Sequence, residues 1–105
     1  MHRITILYGA PADPEAFERH YTEVHVPLAS TLPGLRRFTR SHPLGMGSAA
    51  PAPYFFFVAE LWFDDEDALK SALKSPEMAE TAADAQTFDV ASMTMFTGEV
   101  VESVF

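Results

Sequence analysis

Ten consecutive residues, Tyr54 to Phe63, carry one charge, Glu60, and six aromatic side chains. An extended segment that is apolar on both faces suits a central strand covered on each side, and it is far too short for the roughly 20 residues that span a bilayer. Two layers therefore have to cover it. With 105 residues, 48% of them hydrophobic, the chain is expected to form a single domain over 1–105, so at most one of those layers comes from its own helices. A second copy is the simplest source of the other.

The remaining elements read in order along the chain. Arg3 to Tyr8 alternates, with Ile4, Ile6 and Tyr8 on one face, and predicts a first strand. Asp13-Pro14-Glu15 is a helix start, with Asp as cap and Pro at the first helical position. Phe17, Tyr21, Val24 and Leu28 follow at helical spacing as its buried stripe, and Pro27 is expected to kink or tighten the last turn before Leu32-Pro33-Gly34 ends it. Leu35 to His42 alternates and reads as a half-exposed edge strand. Leu44 to Pro53 has the composition of a loop and is expected to be mobile, a lid if the pocket lies near it. Asp64-Asp65-Glu66-Asp67 and Ser75-Pro76-Glu77 start two more helices, the second burying Met78, Ala82 and Ala85. Met93 to Phe105 alternates again as a closing strand, with Gly98 marking a bulge. The order βαββ(αα)β predicts an α+β fold, a ferredoxin-like four-stranded antiparallel sheet with helices on one face.

Composition excludes several functions. The chain has no cysteine, which removes a disulfide framework and a thiol nucleophile. A net charge of −8 opposes any sequence-independent grip on nucleic acid or anionic lipid. The N-terminus reads as mature structure with no signal peptide, which makes the cytoplasm the default location. Residues 1–42 hold five Arg, four acids and all four histidines, so acid/base chemistry centred on histidine belongs there.

Phe17-Glu18-Arg19-His20-Tyr21-Thr22-Glu23-Val24-His25-Val26-Pro27-Leu28, followed by Leu32-Pro33-Gly34-Leu35-Arg36, resembles the EthD family, named for ethyl tert-butyl ether degradation. Its signature is an aromatic helix with Tyr-x-x-x-His-x-Pro-Leu and then Leu-Pro-Gly-Leu; the Ser75-Pro76-Glu77 start, Asp84 and Phe88 add to the match. The resemblance implies a dimeric α+β barrel, in which two ferredoxin-like protomers pack sheet to sheet and each keeps a small-molecule pocket between sheet and helices. Proteins with this barrel include cofactor-free monooxygenases, polyketide cyclases, lactone isomerases and haem-degrading enzymes. The haem-degrading members use an Asn, Trp and His set, and this chain contains no Asn.

Among the residues, His25 is the foremost proton carrier: it lies four after Tyr21, on or beside the stripe. Its structural alternative is a histidine that caps the Pro27 kink. Tyr21 is a core residue whose hydroxyl is a candidate substrate contact. Arg40 and His42 share a strand face and are candidate binders of substrate, against the commoner reading of an edge strand blunted by charge. Trp62 is core or interface first and pocket wall second, and Asp84 is a lone acid on an Ala-rich helix, placed to pair with a pocket group or an Arg. His20 is expected in solvent. A metal set of His20, His25, Glu23 and Asp84 is disfavoured, because residues five and two apart do not share one face of an α-helix. The reading is thus a homodimer, paired through sheet faces, that takes a small apolar molecule with no metal or organic cofactor. It is either an enzyme of cyclase, isomerase or monooxygenase type acting on an aromatic or polyketide-like compound, or a non-catalytic accessory protein with the same fold.

Overall fold

Strand alternation decides which side of the sheet is covered. The computed structural model describes residues 1–46 and 55–105. In it, β1 (His2–Tyr8) lies between β3 (Phe57–Phe63) and β4 (Met93–Glu99), and β2 (Arg37–Ser41) pairs with the far edge of β3. All three pairings are antiparallel, in the order β2-β3-β1-β4. Because neither β1 and β2 nor β3 and β4 are neighbours, each helical connection crosses a strand, which is the ferredoxin-like arrangement. The fold is α+β.

Ile4, Ile6 and Tyr8 sit opposite Leu61, Ala59 and Phe57 in register, and these six side chains make the inner face. Over them lie α1 (Pro14–His20), a π turn (Tyr21–His25), α2 (Val26–Ala29), α3 (Glu66–Leu73) and α4 (Pro76–Ala85). The caps are those the sequence signals: Asp13 accepts from the Ala16 N–H at 3.2 Å, Asp65 from Ala68 at 2.8 Å and Ser75 from Met78 at 3.1 Å. After α2 the chain turns through Gly34, whose φ of 75° lies where residues with a Cβ are strained. Gly9 is a point of close approach, since a Cβ there would lie 2.5 Å from Ser92 Oγ and 2.9 Å from its backbone nitrogen.

The strand Phe57–Phe63 is central as expected, and it alternates. Its inner residues are buried, while Val58, Glu60 and Trp62 point to the open face and are only partly covered. That open face mixes Leu7, Val58, Trp62 and Phe96 with charge: Arg3 pairs with Glu60 at 2.8 Å, and Arg3 and Arg37 stack on Trp62 at 5.9 and 4.9 Å. The closing strand ends at Glu99, earlier than its alternation predicts, and Gly98 pairs in register with Arg3 with no bulge. Every residue of β4 is exposed, because the helices stand over β1 and β3 and stop short of it. The expected mobile loop falls mostly on residues 47–54, outside the described residues.

Candidate functional site

The site is built by a defect in a helix. Pro27 has no N–H to give to the Glu23 carbonyl, and its ring crowds that carbonyl. The chain accommodates it by widening: the Val26 N–H reaches back five residues to the Tyr21 carbonyl, so Tyr21–His25 is a π turn. The expected kink or tightening is therefore a loosening, one turn upstream. The extra residue moves the buried stripe to Phe17, Tyr21, His25 and Ala29. Val24, predicted on that stripe, is 40% exposed, and His25 takes its place at 3%.

The same widening overturns the spacing argument about His20 and His25. Five residues carry a side chain well past the starting face of an α-helix but bring it closer to that face in the wider π turn. Both imidazoles converge on α4, where His20 Nε2 lies 2.8 Å from Asp84 Oδ1 and His25 Nδ1 lies 2.9 Å from Asp84 Oδ2. Asp84 is thus a clamp between two histidines, one of them buried and the other, His20, 40% exposed at its side chain instead of fully in solvent. Among the described residues, no group of three or more metal-ligating side chains is arranged around a vacant position for an ion.

Electrostatics assigns the protons. Burial disfavours charge on Asp84, yet the hydrogen bonds from His20 and His25 outweigh it and hold the carboxyl below its usual range. An ionised carboxylate accepts only, so His25 donates through Nδ1–H and keeps its Nε2 lone pair on the side away from Asp84. Burial also lowers the pKa of His25 against the pull of Asp84, leaving a neutral imidazole near neutral pH. Burial raises Tyr8 to about 12 and drives Tyr21 upward as well, so both phenols stay protonated and act as donors, not bases.

His25 and Tyr21 face a cavity of about 350 Å³ between the sheet and α4. Its wall is almost wholly apolar, formed by Ile4, Ile6, Leu61, Met78, Met93 and Met95 among others. The predicted α4 residues Ala82 and Ala85 line this space and do not pack on the sheet, because α4 stands away from it. At its inner end the Tyr21 hydroxyl is sealed from solvent with the Tyr8 hydroxyl beside it, and among the described residues it has no other polar neighbour to pair with. A buried donor left without a full partner costs about 1–3 kcal/mol, which favours any rearrangement that gives this hydroxyl an acceptor.

The other expected site residues lie elsewhere. Arg40 packs over the Tyr21 ring at 5.7 Å, behind the cavity wall. His42 pairs with Glu18 at 2.5 Å and stands edge-on to Phe56 and Phe57. Trp62 is on the open face of the sheet, away from the cavity. Asp84 touches the histidines and does not line the space. His20 is the member that sequence reasoning missed; its signal was the fivefold spacing to His25 just before a proline.

Comparison with known proteins agrees with this architecture. The chain is 38% identical over 100 residues to an uncharacterized 11.0 kDa protein from the thcB-thcC intergenic region of Rhodococcus erythropolis, covering 94% of this chain and 95% of that one. An ethyl tert-butyl ether degradation (EthD) family protein from Bacillus halodurans superposes with a TM-score of 0.85 at 31% identity, over 96% of this chain and 99% of that one. SnoaB, a cofactor-independent oxygenase from Streptomyces nogalater, shares the fold, with a TM-score of 0.70 at 16% identity over 98% and 95% of the two chains. The EthD domain model matches residues 10–90, a span that holds the π turn, the cavity's helices and the Asp84 clamp, and the chain belongs to the EthD family.

Proposed function

We propose that this protein is a cofactor-independent enzyme in which His25 takes a proton from a small, neutral, largely apolar molecule while Tyr21 donates a hydrogen bond to an oxygen of the same molecule. The observation that carries the reading is His25 itself: an imidazole, 3% exposed, held through Nδ1 at 2.9 Å from the Asp84 carboxylate in the lining of an apolar cavity, where burial favours its neutral form. A base beside a donor suits a group with an acceptor oxygen and an acidic proton, as in a phenol or an enolisable ketone. Removing that proton begins a ring closure, an isomerisation or an attack on oxygen. SnoaB, named a cofactor-independent oxygenase, shares this fold and supports a reading without a cofactor, and an aromatic or polyketide-like compound fits the apolar wall.

The test is turnover of a panel of neutral hydroxyaryl ketones by the wild type and by His25→Ala. Turnover lowered about 100-fold or more in a folded variant supports the assignment, since that is the size of a general-base contribution. Loss of about 1–3 kcal/mol in stability, with activity per folded molecule intact, makes His25 a structural partner and the protein a binding module.

We further propose that the protein works as a homodimer closed through its open sheet face. Within the described residues Leu7, Val58 and Trp62 are only partly covered there and Phe96 is exposed, and the Thr5 hydroxyl is buried on that face without a partner. Light scattering that finds a stable monomer at micromolar concentration rules the dimer out.

A further inference from the structure

Asp84 serves two histidines, and only one of them reaches the cavity. His20 lies on the other side of the carboxylate, in a separate recess of about 300 Å³ that it shares with Asp13, Phe17, Phe88 and Asp89. Its ring stands edge-on to Phe88 at 6.0 Å between centroids, and the His25 ring meets Phe88 at 4.9 Å, so the two imidazoles share one phenylalanine as well as the Asp84 carboxylate that hydrogen-bonds both. A carboxylate that accepts from two donors has less negative charge to offer each one.

We propose that His20 is a positioning residue that, through the shared Asp84 carboxylate, tempers the basicity of His25 and keeps it a neutral proton acceptor at the cavity wall. The donor at Oδ1 draws charge away from Oδ2, and it stops the carboxylate from turning wholly toward His25. Without that donor, Asp84 stabilises an imidazolium at His25 more strongly, and a larger share of the base is protonated before a ligand arrives. The other titratable or charged groups around the triad are Tyr8 from β1, Tyr21 from the π turn, Arg40 from β2 across the Tyr21 ring, and Asp13 and Asp89 at the rim of the His20 recess. Among the described residues none of these bridges the two histidines; His20 also acts on His25 directly through space, and Asp84 supplies the hydrogen-bonded route.

The inference rests on the role proposed for His25, and its test does not need that role. Imidazole nitrogen shifts of the ligand-free full chain report the pH midpoint of His25, assigned with His25→Gln. His20→Phe, which keeps the contact with Phe88, should raise the proton affinity of His25 about 3- to 10-fold, the worth of one hydrogen bond. His20→Gln, whose side-chain N–H reaches the same Oδ1, should return the midpoint to within about twofold of wild type. His20→Ala replaces the phenylalanine variant if that one fails to fold. An unchanged or lowered midpoint in the variants lacking the donor overturns the coupling, as does a glutamine variant that behaves like phenylalanine. Loss of turnover in His25→Ala without any shift in the His20 variants would retire this inference alone, and the converse would retire only the role of His25.

Discussion

The two walls of the cavity are made of different material. On one side Tyr8 and Tyr21 line it, backed by Phe17, Phe57 and Phe88 in one interlocked cluster, with Tyr21 at 4.7 Å from Phe57 and 6.0 Å from Tyr8 between ring centroids. Tilted and edge-on rings of this kind fix one another's rotamers, so the wall that carries His25 is rigid. On the other side stand Leu73, Met93 and Met95, exposed to 46, 40 and 62% and flanking an uncovered strand. Unbranched thioether side chains re-pack at little cost. Chemistry is thus placed where geometry is enforced, and ligand shape is met where it is not.

The contrast is most easily broken at its rigid side. Phe57→Ala should cost about 3–5 kcal/mol in denaturant unfolding, because a fully buried ring in that cluster leaves a cavity its neighbours cannot fill; a loss below 1 kcal/mol would mean that the wall is soft. Asp84→Leu should cost about 1–3 kcal/mol by removing the acceptor that two histidines share. The same clamp sets the response to acid. The pKa of His25 is depressed from its usual 6.5, so the folded state binds fewer protons there than the unfolded chain, and stability should begin to fall below that pH. Asp84 is depressed from 3.8, so a second loss should follow below that value, and Asp84→Leu should reduce it. Melting temperature measured from pH 8 to 3 reads both steps. At the adaptable side, Met95→Ala should change stability by no more than about 0.5 kcal/mol while altering which ligands bind, a split that calorimetry with and without ligand resolves.

Strand and helix order, the caps at Asp13, Asp65 and Ser75 and the edge position of Arg37–Ser41 were all legible in the sequence, because each rests on local chemistry. The clamp was not. Asp84 looked like a lone acid with a partner to find, and His20 looked solvated, since both expectations used α-helical periodicity through a segment that does not obey it. Pro27 was noticed as an obstacle, but whether the chain tightens or widens around a proline depends on what lies beneath, and here the Tyr8 and Phe57 rings reward the wider turn that brings Tyr21 and His25 inward. Trp62 is open between interface and pocket wall for another reason: alternation along β3 assigns it a face, and only the position of the helices tells which face that is. The mixed polarity of the open face is already written in Glu60, the one charge in the aromatic run.

The π turn also makes the length of this helix a variable in its own right. Deleting one residue between Tyr21 and His25 would restore an ordinary helix and keep the facing of the segments on either side, because the π turn holds one residue more than an α-helical turn. Phe17 and His25 would then stand seven residues apart, close to two α-helical turns, and still share a face. What would change is the step from His20 to His25, four residues instead of five, and with it how the two rings meet the one carboxylate on the facing helix. A frame-preserving loss of a single codon would here leave a well-formed helix of nearly unchanged composition and reset the clamp alone.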